Sequence, residues 1–281
     1  MNYENTFSIY FGPFSLSFIC PSLIVTKHLE RFFSGYECDQ TPDFFIKIFT
    51  SDEFPPPLLQ LQKQWIPQRV DGRFFEIGPN LIRGTLELEK KECSITVHKD
   101  FFSLPMVNVF QGFLCRLYHT MCRDRSINSH FIHGCGVIKE NTGFLFIGPH
   151  QSGKTTVGKL SNGTILHDDQ VIITLDEKGL TIDSPPLPAK FRRRPNKPYP
   201  LEKIFVLAKN SSFAVKSLGP ALALKSLYDE IVLPLTLYSL DGKKEHAEKG
   251  KLCLEILKKV PVLKLHFDEQ GKFWEELTNI H

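Results

Sequence analysis

Residues Gly148 to Thr155 read GPHQSGKT and match the phosphate-binding pattern G-x-x-x-x-G-K-[S/T]. The two glycines let backbone N–H groups wind around phosphate oxygens, because no Cβ stands in the way. Lys154 can reach the β- and γ-phosphates of a nucleotide, and the Thr155 hydroxyl can ligate Mg²⁺. We therefore predict ATP and Mg²⁺ as cofactors. The predicted nucleotide-binding residues are Gly148, Pro149, His150, Gln151, Ser152, Gly153, Lys154, Thr155 and Thr156.

A pair of aspartates, Asp168 and Asp169, follows thirteen residues after Thr155. Beside a phosphate loop, one carboxylate can hold Mg²⁺ and the other can take the proton from an attacking hydroxyl. Two adjacent carboxylates repel each other, which favours a cation near them. We expect both aspartates to act in catalysis with Lys154, and Thr155 and Asp169 to be metal ligands. A solvated turn is the alternative, and the pattern leaves open which aspartate is the base.

Two histidines lie close to this motif in the sequence. His133 stands before Gly134, one predicted hairpin ahead of the phosphate loop, and could contact phosphate or position an aspartate. We include His133 among the candidate catalytic residues, although a lone histidine on a strand is also common as an ordinary core or edge residue. His150 lies inside the loop and can face either solvent or the nucleotide.

A basic stretch from Lys190 to Lys197 carries five positive charges in eight residues. Arg192, Arg193 and Arg194 could neutralise a transferring phosphate or bind an acidic substrate. The alternative is a solvated basic loop. Few aromatic residues interleave with these charges and the whole chain carries only +3, so we predict no nucleic-acid partner.

The elements that must position these residues can be read from apolar patterns. Residues 144–147 are typical of a strand leading into the loop, and 153–160 of the helix that follows it. Residues 131–139 indicate a strand that pairs with 144–147 as a hairpin, which would bring His133 towards the active end. A second hairpin is predicted over 171–182, directly after the aspartates.

The chain as a whole is expected to be α/β in two parts. Residues 1–103 form a small strand-rich domain, 104–126 a linking helix, and 127–281 a phosphate-loop catalytic domain with a mixed, strongly antiparallel sheet. In the catalytic domain the remaining predictions are a strand at 201–208, helices at 221–229 and 245–259, a strand at 262–266 and a short helix at 273–277.

Composition is ordinary for a globular protein. The chain has 281 residues, of which 42% are hydrophobic and 23% charged. Apolar stretches are too short for a membrane span, and the N-terminus does not have the pattern of a signal peptide. The seven cysteines form no C-x-x-C pair and are expected to be reduced core thiols. We therefore expect a cytoplasmic protein without a membrane partner.

Taken together, HGCGVIKENTGFLFIGPHQSGKTTVGKL and SNGTILHDDQVII resemble the catalytic domain of HPr kinase/phosphorylase and its relatives, a branch allied in fold with phosphoenolpyruvate carboxykinase. The segments PYPLEKIFVLAK and DEQGKFWEEL are similar to HPr kinase-like proteins of peptide-modification clusters, which include lasso-peptide serine kinases. The resemblance covers about residues 130–281. It implies ATP- and Mg²⁺-dependent phosphorylation of a serine hydroxyl, in a small precursor peptide or another small hydroxy substrate, by an enzyme that assembles as a homo-oligomer.

In the resemblance, Lys154 matches the phosphate-binding lysine, Thr155 the Mg²⁺-binding hydroxyl, and Asp168 with Asp169 the base and metal partner. His133 matches the histidine that precedes the loop. The chain departs from the family at His150-Gln151, where the loop usually carries Ser-Gly. It also lacks the glutamate-arginine-glycine signature of true HPr kinases, which argues against HPr as the substrate.

Two other functions remain compatible with the sequence. One is a nucleotide-binding regulatory or scaffold protein without transfer activity, motivated by the two departures from the family pattern. The other is a carboxykinase-like or NTP-hydrolysing enzyme. The phosphate donor could also be pyrophosphate or polyphosphate in place of ATP.

Overall fold

The computed structural model describes residues 5–20, 22–53, 67–71, 73–78, 81–103, 107–191, 197–209, 213–239, 242–267 and 273–277. The protein is mixed α/β and contains two mixed sheets. It divides into two compact units, the first comprising 1–126 with 235–242 and the second comprising 127–234 with 243–281.

The first unit is built on a seven-stranded sheet with the order β1-β2-β3-β7-β6-β5-β4. Its strands are β1 (Thr6–Phe11), β2 (Phe14–Ile19), β3 (Phe44–Ser51), β4 (Pro67–Asp71), β5 (Phe74–Ile77), β6 (Ile82–Glu87) and β7 (Glu92–His98). The α-helices in the described part of this unit are α1 (Leu23–Phe32) and α2 (Val107–Asp124). Alternate residues along β1 and β6 are buried, as expected for strands with one face against a core.

The first unit has an aromatic core. Phe18 stacks on Phe33 with ring centroids 5.2 Å apart, and Phe110 of α2 lies 6.4 Å from both rings. Tyr118, also on α2, packs against Phe11 at 4.8 Å. The helix expected to join the two halves thus packs its apolar face inside the first unit.

A short segment from late in the chain completes this unit. Leu237 is fully buried, and its backbone N–H donates to the Thr120 Oγ1 of α2 at 3.0 Å. The buried Arg116 donates from Nη1 to the Thr236 carbonyl at 2.9 Å. The sequence pattern does not predict this return of residues 235–242, because it depends on contacts between positions more than 100 residues apart.

The second unit carries a nine-stranded sheet with the path β11-β9-β10-β14-β13-β12-β8. Strand β14 pairs in parallel with β10 and β16, and β15 pairs with β16. The strands are β8 (Asn128–His133), β9 (Cys135–Lys139), β10 (Thr142–Ile147), β11 (Thr164–His167), β12 (Gln170–Asp176), β13 (Gly179–Asp183), β14 (Tyr199–Lys209), β15 (Ala214–Ser217) and β16 (Val262–Phe267). The helices are α3 (Lys154–Leu160), α4 (Pro220–Glu230), α5 (Lys243–Lys259) and α6 (Phe273–Leu277).

The single strand predicted over 131–139 is broken at Gly134. Strand β8 pairs with β12, whereas β9 turns to pair with β10 and β11. A Cβ at position 134 would stand 2.6 Å from Leu145 Cδ1 and 3.0 Å from the Phe146 carbonyl oxygen. The close approach of residue 134 to strand β10 therefore requires glycine. The break leaves His133 at the end of its strand.

Two apolar clusters cover the sheet of the second unit. One contains Leu145 and Ile204 with residues of α4 and α5, and the other contains Phe146, Phe205 and Trp274 with Val157 of α3. All seven cysteines of the chain are free thiols, and all but Cys115 are buried. Within the described parts of the chain, no helix combines the length and the apolar character needed to cross a membrane.

Candidate functional site

The loop between β10 and α3 is wound by residues with positive φ angles. Gly148, Gln151 and Gly153 have φ of 147°, 66° and 101°. A Cβ on Gly153 would stand 2.6 Å from Phe267 Cζ, so glycine is required there for space as well as for conformation. The positive φ of Gln151 is uncommon for a residue with a side chain, and strain of this kind concentrates at functional sites.

Lys154 turns back onto the loop that precedes it. Its Nζ donates to the Gly148 carbonyl and, at 3.2 Å, to the Pro149 carbonyl. The ammonium is thereby held at the start of the loop, inside the turn that the loop makes. The Ser152 Oγ, buried in the same loop, has no hydrogen-bond partner among the described residues.

These groups line a cleft of about 630 Å³, a size typical of a small-molecule site. Its lining combines the loop and the start of α3 with Asp168, Asp169 and the segment that ends at Lys190. The predicted loop residues on this lining are His150, Gln151, Ser152, Gly153, Lys154, Thr155 and Thr156.

The backbone of the aspartate pair is held by His167, a residue that the sequence analysis did not single out. His167 is fully buried, and its Nδ1 accepts from the N–H groups of Asp169 and Gln170 at 3.2 and 2.9 Å. Its Nε2 therefore carries the proton and donates to the Leu187 carbonyl at 3.2 Å. Its position directly before two aspartates was the only available signal in the sequence.

The two aspartates lie in different environments. Asp168 is buried, and its Oδ1 accepts from the backbone N–H groups of Lys190 and Phe191 at 3.1 and 3.3 Å. The Lys159 ammonium of α3 lies 5.4 Å from the centre of the Phe191 ring. Asp168 thus fixes one wall of the cleft, whereas the side chain of Asp169 is exposed to it.

His133 lies next to Asp169 because of the strand register. It pairs with Gln170 across β8 and β12, and the following residue, Gly134, donates its N–H to the Asp169 carbonyl at 3.0 Å. His133 is exposed at the surface, yet partial desolvation of the imidazole by the surrounding protein lowers its pKa. The charge of Asp169 opposes the shift, whereas Lys154 and Lys249 add to it.

The predicted basic substrate contacts are only partly described. Arg192, Arg193 and Arg194 lie outside the described residues. Lys190 is exposed on the cleft wall, whereas Lys197 lies 5.7 Å from the centre of the Tyr199 ring. His150 is exposed at the cleft, and so its direct role stays a prediction.

The oxygen atoms at the cleft suit magnesium. Among the described residues, no group of three or more His, Cys, Asp or Glu side chains forms a metal-binding cluster. Mg²⁺ commonly needs only one or two protein oxygens, because water and phosphate oxygens fill its other positions. The Thr155 hydroxyl and the free carboxylate oxygens of the aspartate pair meet this requirement.

Comparison with models of known protein families and with curated protein sequences gives no match for this chain. The site must therefore be interpreted from its own residues and geometry.

Proposed function

We propose that the second unit is a Mg²⁺-dependent kinase that transfers the γ-phosphoryl group of ATP to a serine-type hydroxyl. The acceptor is a precursor peptide or a small hydroxy compound. One observation carries the proposal. The phosphate-loop lysine and a carboxylate pair with one exposed member line the same cleft, although they are fourteen and more residues apart in the chain. The resemblance of these motifs to HPr kinase-like enzymes supports the same assignment.

Each group has a defined task in this reaction. The loop N–H groups and Lys154 bind the phosphates and neutralise the charge that develops on them. When bound at Thr155 and the aspartate pair, Mg²⁺ would supply further charge neutralisation. The exposed carboxylate of Asp169 takes the proton of the acceptor hydroxyl as its oxygen attacks the γ-phosphorus and the bond to the β-phosphate oxygen breaks.

Label transfer from γ-labelled ATP tests the proposal. The acceptors would be serine-containing peptides, an HPr-type protein and free hydroxy amino acids, each with Mg²⁺ present. Transfer to one acceptor class by the natural protein, and its loss in Lys154→Ala, is the expected result. Lys159→Ala is the matched control, because this lysine is on the same helix but points to Phe191.

The proposal fails if ATP binds and no acceptor of any class is labelled with ATP, pyrophosphate or polyphosphate as the donor. Tight nucleotide binding under those conditions would identify a regulatory nucleotide-binding protein. Release of inorganic phosphate without an acceptor would identify a hydrolase.

A further inference from the structure

On the side of His133 away from Asp169, the end of helix α4 is attached to strand β8. Ile231 forms an antiparallel bridge with Ile132, and the Val232 N–H donates to the Phe131 carbonyl at 2.9 Å. Because the two chains run in opposite directions, the residues that come next, His133 and Glu230, are neighbours at this junction. Glu230 is therefore fixed beside His133, the residue whose ring also feels the charge of Asp169.

Helix α5 contributes a lysine to the same place. Lys249 is only 8% exposed, and its Nζ lies 4.5 Å from the centre of the Tyr228 ring. The Tyr228 hydroxyl is in turn hydrogen-bonded to His246 Nδ1 at 2.8 Å, so the ring that supports the ammonium is itself held. Such an arrangement keeps a cation in one position.

The contact with Tyr228, two residues before Glu230 on α4, brings the Lys249 ammonium to the same end of that helix, and the two charges influence each other without a direct ion pair. Within the described part of the chain, neither has an oppositely charged group within salt-bridge distance. Burial raises the pKa of Glu230, and the charges of Lys154 and Lys249 oppose that shift. Burial likewise lowers the pKa of Lys249. Charged groups that are partly desolvated and lack a direct counter-ion are suited to bind a ligand that supplies one.

We propose, resting on the kinase function above, that Glu230 and Lys249 bind the ammonium and carboxylate groups of a free α-amino acid that carries a hydroxyl. The acceptor class is then L-serine and its close analogues. Glu230 accepts hydrogen bonds from the α-ammonium, and Lys249 donates to the α-carboxylate. The side-chain hydroxyl lies towards Asp169, which takes its proton as the new O–P bond forms and ADP leaves.

Four acceptor compounds test the ammonium contact and the carboxylate contact independently. They are L-serine with both charges, L-serine amide with the ammonium alone, N-acetyl-L-serine with the carboxylate alone, and N-acetyl-L-serine amide with neither. Transfer from γ-labelled ATP is expected to be fastest with L-serine. Each blocked charge should raise KM by at least about tenfold, which corresponds to the loss of a single charged hydrogen bond.

Substitutions of Glu230 and Lys249 test which residue binds the α-ammonium and which binds the α-carboxylate. Glu230→Gln should raise KM for L-serine and for the amide but leave N-acetyl-L-serine unchanged. Lys249→Met should raise KM for L-serine and for N-acetyl-L-serine but leave the amide unchanged, and Lys249→Arg should recover part of the loss. Lys251→Met at an exposed position of α5, and Glu255→Gln at a half-buried position paired with Lys258, serve as controls that change charge without touching the site.

The outcomes distinguish the two proposals. Transfer to a serine-containing peptide without transfer to L-serine overturns the amino-acid site and leaves the kinase standing. An equal KM change for all four acceptors in either variant, with thermal unfolding unchanged, also overturns it. If no acceptor is labelled at all, the kinase function itself fails, and with it the inference.

Discussion

The exposed and the buried aspartate are expected to respond differently to the same substitution. Asp169→Asn should lower kcat at least about 100-fold, because an amide cannot take the proton of the acceptor. Asp168→Asn should be milder, since the amide oxygen can still accept from the N–H groups of Lys190 and Phe191. Single-turnover transfer measures both, with nucleotide affinity as the control. If Asp168→Asn lowers kcat more than Asp169→Asn does, Asp168 and not Asp169 is the base.

His133 gives the reaction a predictable dependence on pH. Burial lowers its pKa from the ordinary 6.5, so the imidazole stays neutral at pH 7 and gains charge only on further acidification. A cation there would stand beside Lys154 and Lys249 and would draw the Asp169 carboxylate away from the acceptor, although Glu230 lies nearby. We therefore expect kcat to fall below pH 6.5. The pH profile of kcat for His133→Gln should not show this acidic decrease. If the profile of the variant is unchanged, another group is responsible for the decrease.

At the scale of elements, the break at Gly134 should be sensitive to a single methyl group. Gly134→Ala places a Cβ against Leu145 and the Phe146 backbone, and we expect it to lower the free energy of unfolding by about 1–3 kcal/mol. Gly250→Ala is the matched control, because no atom lies within 4 Å of the added carbon and the residue is inside α5. There the same change should stabilise by about 0.5–1 kcal/mol. Urea unfolding of both variants checks the contrast in sign.

The sequence predicts the elements nearest to the phosphate loop well. The hairpin of β9 with β10, the hairpin of β12 with β13 and the helix at 273–277 lie where apolar alternation and turn residues indicate them. Helix α1 was missed because exposed Leu23 and Ile24 obscure its one-sided pattern. Strand β11 was missed because it has only four residues.

The residues of the candidate site likewise fall into two groups, those that the sequence identifies and those that it does not. Residues held by a local motif, such as Lys154 and Thr155, can be named from spacing alone. His167, Glu230 and Lys249 cannot, because each gains its position from pairing or packing with a distant segment. Sequence alone also leaves open which aspartate is exposed, since that depends on where residues 190 and 191 place their N–H groups.

At the scale of the whole molecule, the returning segment 235–242 should contribute to the stability of the first unit. Leu237→Ala removes a fully buried side chain from this unit, and we expect a loss of about 2–5 kcal/mol. Leu23→Ala is the matched control, because that side chain is 56% exposed. Denaturant unfolding followed by the aromatic signal gives the comparison. Equal stability of the two variants would mean that the segment is dispensable.

The same segment limits how the gene for this chain can be recombined. The polypeptide passes between the units at three places, after residues 126, 234 and 242. A gene fusion that begins at the codon for residue 127 would transfer the phosphate loop together with eight residues that belong to the other unit. It would also leave helix α2 of the first unit without the segment that hydrogen-bonds to Arg116 and Thr120. The two units are therefore expected to be inherited together, and a working exchange of catalytic parts between related genes would need paired crossovers on both sides of codons 235 to 242.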